Sequence, residues 1–250
     1  MDRRSFLGSA AVGAAGMLAG CLSAGVTVTS AETSYPSAAG AVYQLRSELT
    51  DESQESSVSF ESLSREQRLE VANAIHRGEY LLAESPAISA DDVSSVDYRD
   101  QTFTVSYGIS DGIGYGQNPD TLDFVTFDAT ATGTELECSM TNSHSAPLEV
   151  FHTGRPYFGV GVAVGETVTL LAHDRYVEND TIEIYPITRQ PPHPPRERTA
   201  TIEPGDSLTE SYIIGDSVPG DAVVYVSTLI RNDALGIGEF PTGRFSLETD

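Results

Sequence analysis

The stretch TATIEPGDSLTESYII, residues 199–214, decides how the chain is read. Thr199–Ile202 and Ser207–Ile214 are short runs of β-branched and apolar residues, and Pro204-Gly205 between them supplies the fixed φ and the free φ that a tight turn needs. The same letters contain Gly205-Asp206-Ser207-Leu208, the signature of GDSL esterases, in which the serine is the nucleophile. That chemistry needs an α/β setting and a histidine downstream. All five histidines (His76, His144, His152, His173 and His193) precede Ser207, and no strand–helix alternation surrounds it. The stretch therefore reads as strand, turn, strand.

Working outward, the whole region 121–250 has the same texture. Leu122–Thr130, Glu135–Thr141, Leu148–Phe151, Thr167–Ala172, Ile182–Ile187, Ala222–Ile230 and Arg244–Leu247 are further short strand-like runs. Gly133, Asn142, Gly154, Gly165, Asn179-Asp180 and Pro219-Gly220 punctuate them. Short strands at this spacing predict an immunoglobulin-like antiparallel β-sandwich over 121–250, although the chain has no tryptophan and lacks the Cys-Trp-Cys hallmark. Residues 111–120 (DGIGYGQNPD) form a glycine-rich linker. Their Gly112-x-Gly114-x-Gly116 is not a phosphate loop, because a strand-like run and not a helix follows.

Residues 38–110 predict a small α+β domain with one helix. Ser64 and Gln67 have capping-box spacing, and Gly78 stands where a C-terminal cap belongs. Leu69, Ala72 and Ile75 share one face with Val71 beside them, leaving Arg65, Glu66, Glu70 and Arg77 for the wet side. Ala41–Leu49 and Val58–Phe60 read as strands, and Val93–Tyr98 with Thr102–Tyr107 as a hairpin. Residues 21–37 are mostly Ser, Thr, Ala and Gly with a single glutamate, and predict a flexible tether.

Residues 1–20 are a targeting segment. The apolar stretch Phe6–Ala19 spans roughly 21 Å as a helix, short of the roughly 30 Å hydrocarbon core of a bilayer. Arg3-Arg4-Ser5-Phe6-Leu7 resembles a twin-arginine (Tat) export motif, and Leu18-Ala19-Gly20-Cys21 resembles a lipobox. The resemblance implies cleavage before Cys21, lipid on its sulfur, and placement on the extracellular face of the cell membrane. Loss of residues 1–20 leaves 36 acidic and 12 basic side chains.

All fourteen basic residues of the chain are arginine, and the formal net charge is −23. The acids are spread evenly, with no run longer than two. Such a coat repels itself unless salt screens it, and at about 1 M the screening length is only ~3 Å. With the missing lysine, the composition resembles that of haloarchaeal proteins, and with the export segment it resembles haloarchaeal Tat lipoproteins. The charge excludes nucleic acid as a partner, since nothing is available to neutralise phosphates. With Cys21 assigned to lipid, Cys138 is left as a buried small hydrophobe and no disulfide is expected.

A further resemblance rests on Met140-Thr141-Asn142, then Leu148–Gly154 (LEVFHTG), Tyr157-Phe158, Ile202–Ser207 (IEPGDS) and Pro219-Gly220. Over residues 124–230 this order resembles the BsuPI-type intracellular proteinase-inhibitor domain, which implies an immunoglobulin-like sandwich and a capacity to inhibit proteinases. The chain departs from that family at Tyr157-Phe158-Gly159, where the family has Tyr-Asp-Phe.

No motif demands a cofactor or a metal. His152, His173 and Asp174 lack metal-ligand spacing, and Cys138-Ser139-Met140 lies in a strand without a nearby histidine upstream to make a copper site. Asn179-Asp180-Thr181 is an N-glycosylation sequon. Phe151–Gly159 and the proline-rich Gln190–Arg198 are the loops expected to meet a partner. The expected role is that of a surface-anchored, non-enzymatic binding or structural module for an extracellular protein or ligand. Proteinase inhibition is the alternative, and an enzyme with a loop-built histidine site a third.

Overall fold

The computed structural model describes residues 25–35, 42–50, 57–77, 80–82, 86–88, 93–110, 124–152, 156–171, 198–214, 221–232, 237–239 and 241–249. They form a mainly β molecule, sandwich-like, with a single α-helix among the described residues. Four sheets and the helix stack in layers.

The central sheet has the order β1-β17-β14-β10-β11, built from β1 (Val26–Ser34), β17 (Thr242–Thr249), β14 (Ala222–Ser227), β10 (Val162–Val164) and β11 (Val168–Leu170). All neighbours are antiparallel. β14 explains the layering. Its residues Ala222, Val224 and Val226 enter one core, while Val223 and Tyr225 enter another. Both faces are covered, so the strand is a continuous apolar run and not the half-wet alternation expected for Ala222–Ile230.

On one face lies the outer sheet, β13-β8-β7, made of β13 (Ser207–Ile213), β8 (Glu135–Asn142) and β7 (Val125–Thr132). Phe127, Leu136, Cys138, Met140 and Tyr212 meet Val224, Val226, Phe245 and Leu247 across this sandwich. Gly243 lets the layers close. A Cβ there would stand 2.8 Å from Phe127 Cγ and 2.9 Å from Val226 Cγ2, below any real contact.

On the other face lies α1 (Arg65–Arg77), and beyond it the fourth sheet, β3-β5-β6-β2-β4. Its strands are β3 (Ser57–Ser59), β5 (Ser95–Tyr98), β6 (Gln101–Ser110), β2 (Val42–Thr50) and β4 (Tyr80–Leu82). The β5–β6 hairpin forms as expected, through a two-residue turn in which Arg99 and Asp100 have φ of 49° and 61°. The capping box also forms: Gln67 N donates to Ser64 Oγ at 3.3 Å and Ser64 N to Gln67 Oε1 at 3.0 Å. Gly78 lies outside the described residues. The wet side expected for the helix is only half wet. Residues Leu69 through His76 are all buried, Glu70 among them, because sheets cover α1 from two directions.

A cap sheet, β12-β9-β15-β16, closes one end of the sandwich with β12 (Arg198–Ile202), β9 (Leu148–His152), β15 (Leu229–Asn232) and β16 (Ile237–Glu239). The β14/β17 pairing continues in unbroken register into β15/β16, from Ala222↔Leu247 through Ser227↔Thr242 to Asn232↔Ile237. One ribbon thus changes sheets at Thr228, whose N–H donates to Pro241 O at 3.3 Å. The Pro204-Gly205 turn does the same for its own strands: Gly205 takes φ +83°, and the chain passes from β12 in the cap to β13 in the outer sheet.

Two expectations about organisation are corrected. The tether expected over 21–37 contains β1, a nine-residue strand paired with β17 from Val26↔Thr249 to Ser34↔Thr242. Side chains of this segment also serve the outer sheet: Thr33 Oγ1 accepts from Phe127 N at 2.8 Å, and Tyr35 Oη accepts from Val125 N at 2.9 Å and donates to Val125 O. The two expected domains, 38–110 and 121–250, share a core: Leu69, Ile75 and Tyr80 cluster with Val162, Val164, Val223 and Tyr225. The expected linker 111–120 lies outside the described residues.

Candidate functional site

Arg3, Arg4, Cys21 and Asn179 lie outside the described residues, as do His173, Asp174, His193 and most of Gln190–Arg198. Ser207 is exposed on β13, and its Oγ is 2.7 Å from Thr141 Oγ1 on the neighbouring strand, a cross-strand hydroxyl pair. Cys138 is fully buried in the sandwich core, and burial holds its thiol well above the usual range, so it is inert. His144 shapes its own turn, with Nδ1 accepting from Ala146 N at 3.1 Å. Among the described residues no group of three or more His, Cys, Asp or Glu side chains converges as a metal site.

What the tertiary structure does bring together is one described end of each stretch expected to contact a partner. In the cap sheet, His152 at the end of β9 pairs with Arg198 at the start of β12. The inner face of this sheet is apolar and buried, through Leu148, Val150, Ile202 and Ile230. Its outer face carries Thr199, Phe151 and Leu229 in one cross-strand row, and Thr201, Glu149 and Arg231 in the next. The Arg231 guanidinium sits 4.6 Å above the Phe151 ring. A half-exposed aromatic–arginine pair on an open sheet face is the kind of surface that anchors a protein contact. The later half of the Phe151–Gly159 loop is not part of it. Pro156 and Phe158 are buried, Tyr157 N donates to Glu210 Oε1 at 2.9 Å, and Tyr212 Oη donates to Gly159 O at 2.9 Å.

The more elaborate polar construction is internal. Five arginines stitch α1 and the hairpin behind it to the central sheet. Arg77 donates to the carbonyls of Phe158 (3.1 Å), Val160 (2.6 Å) and Ser227 (3.4 Å) and to Ser227 Oγ (2.6 Å). Arg65 forks onto the Asp221 carboxylate with both contacts at 3.0 Å, and Arg244 onto Glu66 likewise. Arg68 reaches Glu166 O at 2.9 Å, and Arg99 reaches Val168 O at 3.2 Å. A fixed planar fork suits clustered carbonyls better than an ammonium does. Glu70 anchors the segment after β4 by accepting from Ala87 N (2.8 Å) and Ile88 N (3.0 Å), while burial pushes its pKa up. His76 is buried against Tyr98, with Nε2 3.1 Å from Tyr98 Oη, and burial lowers its pKa to about 4. No periodicity announces these roles. The legible signal is the scarcity of cations, which makes three arginines on one thirteen-residue helix conspicuous.

Comparison of the chain with protein-family models, with curated proteins and with solved structures finds no match.

Proposed function

We propose that this protein is a lipid-anchored module on the outer face of the cell membrane in concentrated salt, and that it works by binding a protein or ligand and not by catalysis. The observation that carries the reading is the joint occurrence of Arg3-Arg4, a short apolar run and Leu18-Ala19-Gly20-Cys21 ahead of an acidic, lysine-free chain. The contact surface is the cap sheet around Phe151, Leu229 and Arg231, supported by the register that places Thr199, Phe151 and Leu229 in one row across the sheet. Cys21→Ala tests the anchor: the protein passes from the membrane into the medium, and retention on the membrane of a variant that has lost residues 1–20 overturns the lipidation reading. Capture from membranes in molar salt tests the surface. A partner retained by the wild type is lost with Phe151→Asp, and equal capture by both removes the cap sheet from the proposal.

Proteinase inhibition is carried by the resemblance to the BsuPI-type domain alone. It requires that the purified protein slow a halophilic extracellular protease at stoichiometric amounts; no effect at several-fold excess discards it.

A further inference from the structure

Only four residues, 22–25, separate Cys21 from Val26, which opens β1. Five residue steps reach at most about 18 Å when fully extended. β1 itself, nine residues long, extends for about 30 Å. A lipid on Cys21 thus holds one particular end of the molecule close to the bilayer.

The pairings identify that end. Val26 faces Thr249, Leu247 faces Ala222, Val223 faces Val164, and Val164 faces Val168. The start of α1 belongs there too, through Arg65 on Asp221 and Arg68 on Glu166 O, as does the Arg99–Asp100 turn, through Arg99 on Val168 O. In the outer sheet, Thr33 and Tyr35 hold the beginning of β7 at the opposite end, which leaves the β7–β8 turn and Ile213, paired with Glu135, at this one. Ile213 is the large hydrophobic side chain that stands exposed among the described residues, at 45%. The cap sheet closes the opposite end, where the ribbon leaves the central sheet at Ser227 and Thr242.

We propose that the Val26–Thr249 end, with Ile213, Glu166 and the Arg99–Asp100 turn, is a membrane-apposed base, and that the cap sheet with Phe151 and Arg231 points away from the bilayer. The proposal rests on lipidation of Cys21. The base carries Asp100, Glu135, Glu166, Asp221 and Glu248 against Arg65 and Arg99. An anionic bilayer repels such a surface in dilute salt but not at about 1 M, where screening acts within ~3 Å. The short leash and the salty medium suit one another.

The test uses the full chain in its membrane, in molar salt. Glu248→Cys at the base and Thr201→Cys on the cap are each labelled with a donor fluorophore, Cys138 being buried, and acceptor is placed on lipid headgroups. Transfer is expected to be several-fold stronger from position 248, and a twenty-residue Gly/Ser insertion after Leu22 should erase most of the difference. Glu166→Cys and Thr199→Cys form a second pair should either variant fold poorly. Equal transfer from base and cap in a protein whose Cys21 carries lipid overturns the orientation alone. Absence of lipid on Cys21, read from the mass of the N-terminal peptide, overturns the anchor and the orientation together.

Discussion

His76 shows how a single buried side chain ties this fold to pH. It lies on α1 facing β5, its Nε2 on Tyr98 Oη, and Nδ1 has no hydrogen-bond partner among the described residues. Burial lowers its folded pKa to about 4, against about 6.5 in an unfolded chain. The unfolded state therefore binds a proton that the native state refuses throughout that window. Stability is lost as pH falls from about 6.5 to about 4, at up to ~1.4 kcal/mol per unit and roughly 3 kcal/mol in all. Glu70 acts in the opposite sense, since its raised pKa makes the folded state the better proton acceptor just above the ordinary carboxylate range. Denaturant titrations in molar salt at pH 7, 5.5 and 4 should show wild type losing this increment relative to His76→Gln. Parallel pH dependence of the two proteins would remove His76 as its source.

At the scale of the element, β1 is where sequence reading and structure part furthest. VTVTSAETS, residues 26–34, carries Ser, Thr and Ala at positions where a half-buried strand usually places larger apolar groups. All nine of its positions are exposed or only partly covered because it is the edge strand of the central sheet. What holds it is backbone pairing to β17 and side-chain bonds to β7, neither of which leaves a hydrophobic period. Tyr35→Phe removes the hydroxyl that accepts from Val125 N and donates to Val125 O, and should cost about 1–2 kcal/mol. Deletion of 26–34 should lower the melting temperature by 10 °C or more, since the edges of both β17 and β7 are then bare. A deletion that leaves thermal unfolding unchanged would return the segment to the status of a spacer. α1 is the converse case. Its capping box is local, so Ser64 and Gln67 were legible, whereas Glu70 and His76 are buried against partners further along the chain, Ala87 and Ile88 for the one and Tyr98 for the other.

For the whole molecule, charge decides the conditions under which the fold exists. A net charge of −23 without lysine leaves few cations. Arg65, Arg68, Arg77, Arg99 and Arg244 are committed to the seam between α1 and the central sheet. The contacts of Arg77 and Arg244 are partly buried, so salt weakens them less than it weakens repulsion among exposed carboxylates. The melting temperature should rise steadily from about 0.1 M to 2 M KCl, and Arg77→Met should lower it at every salt concentration. A melting temperature that falls with added salt would mean that ion pairs, and not the acidic coat, dominate the balance.

From sequence alone came the features that are local or compositional: strand–turn–strand at 199–214, the β5–β6 hairpin, the capping box, the acidic balance and the resemblance of the stretch holding Arg3, Arg4 and Cys21 to export and lipidation motifs. Each depends on neighbours within a few residues or on totals, and chemistry at that range is written in order along the chain. Tertiary structure alone decided the rest. It made β1 a strand, put α1 between two sheets, tied five arginines to the seam between the helix and the central sheet, and paired His152 with Arg198 in the cap sheet. Those outcomes depend on residues far apart in the chain, and an edge strand or a helix buried on two sides leaves no periodic trace by which such partners announce themselves.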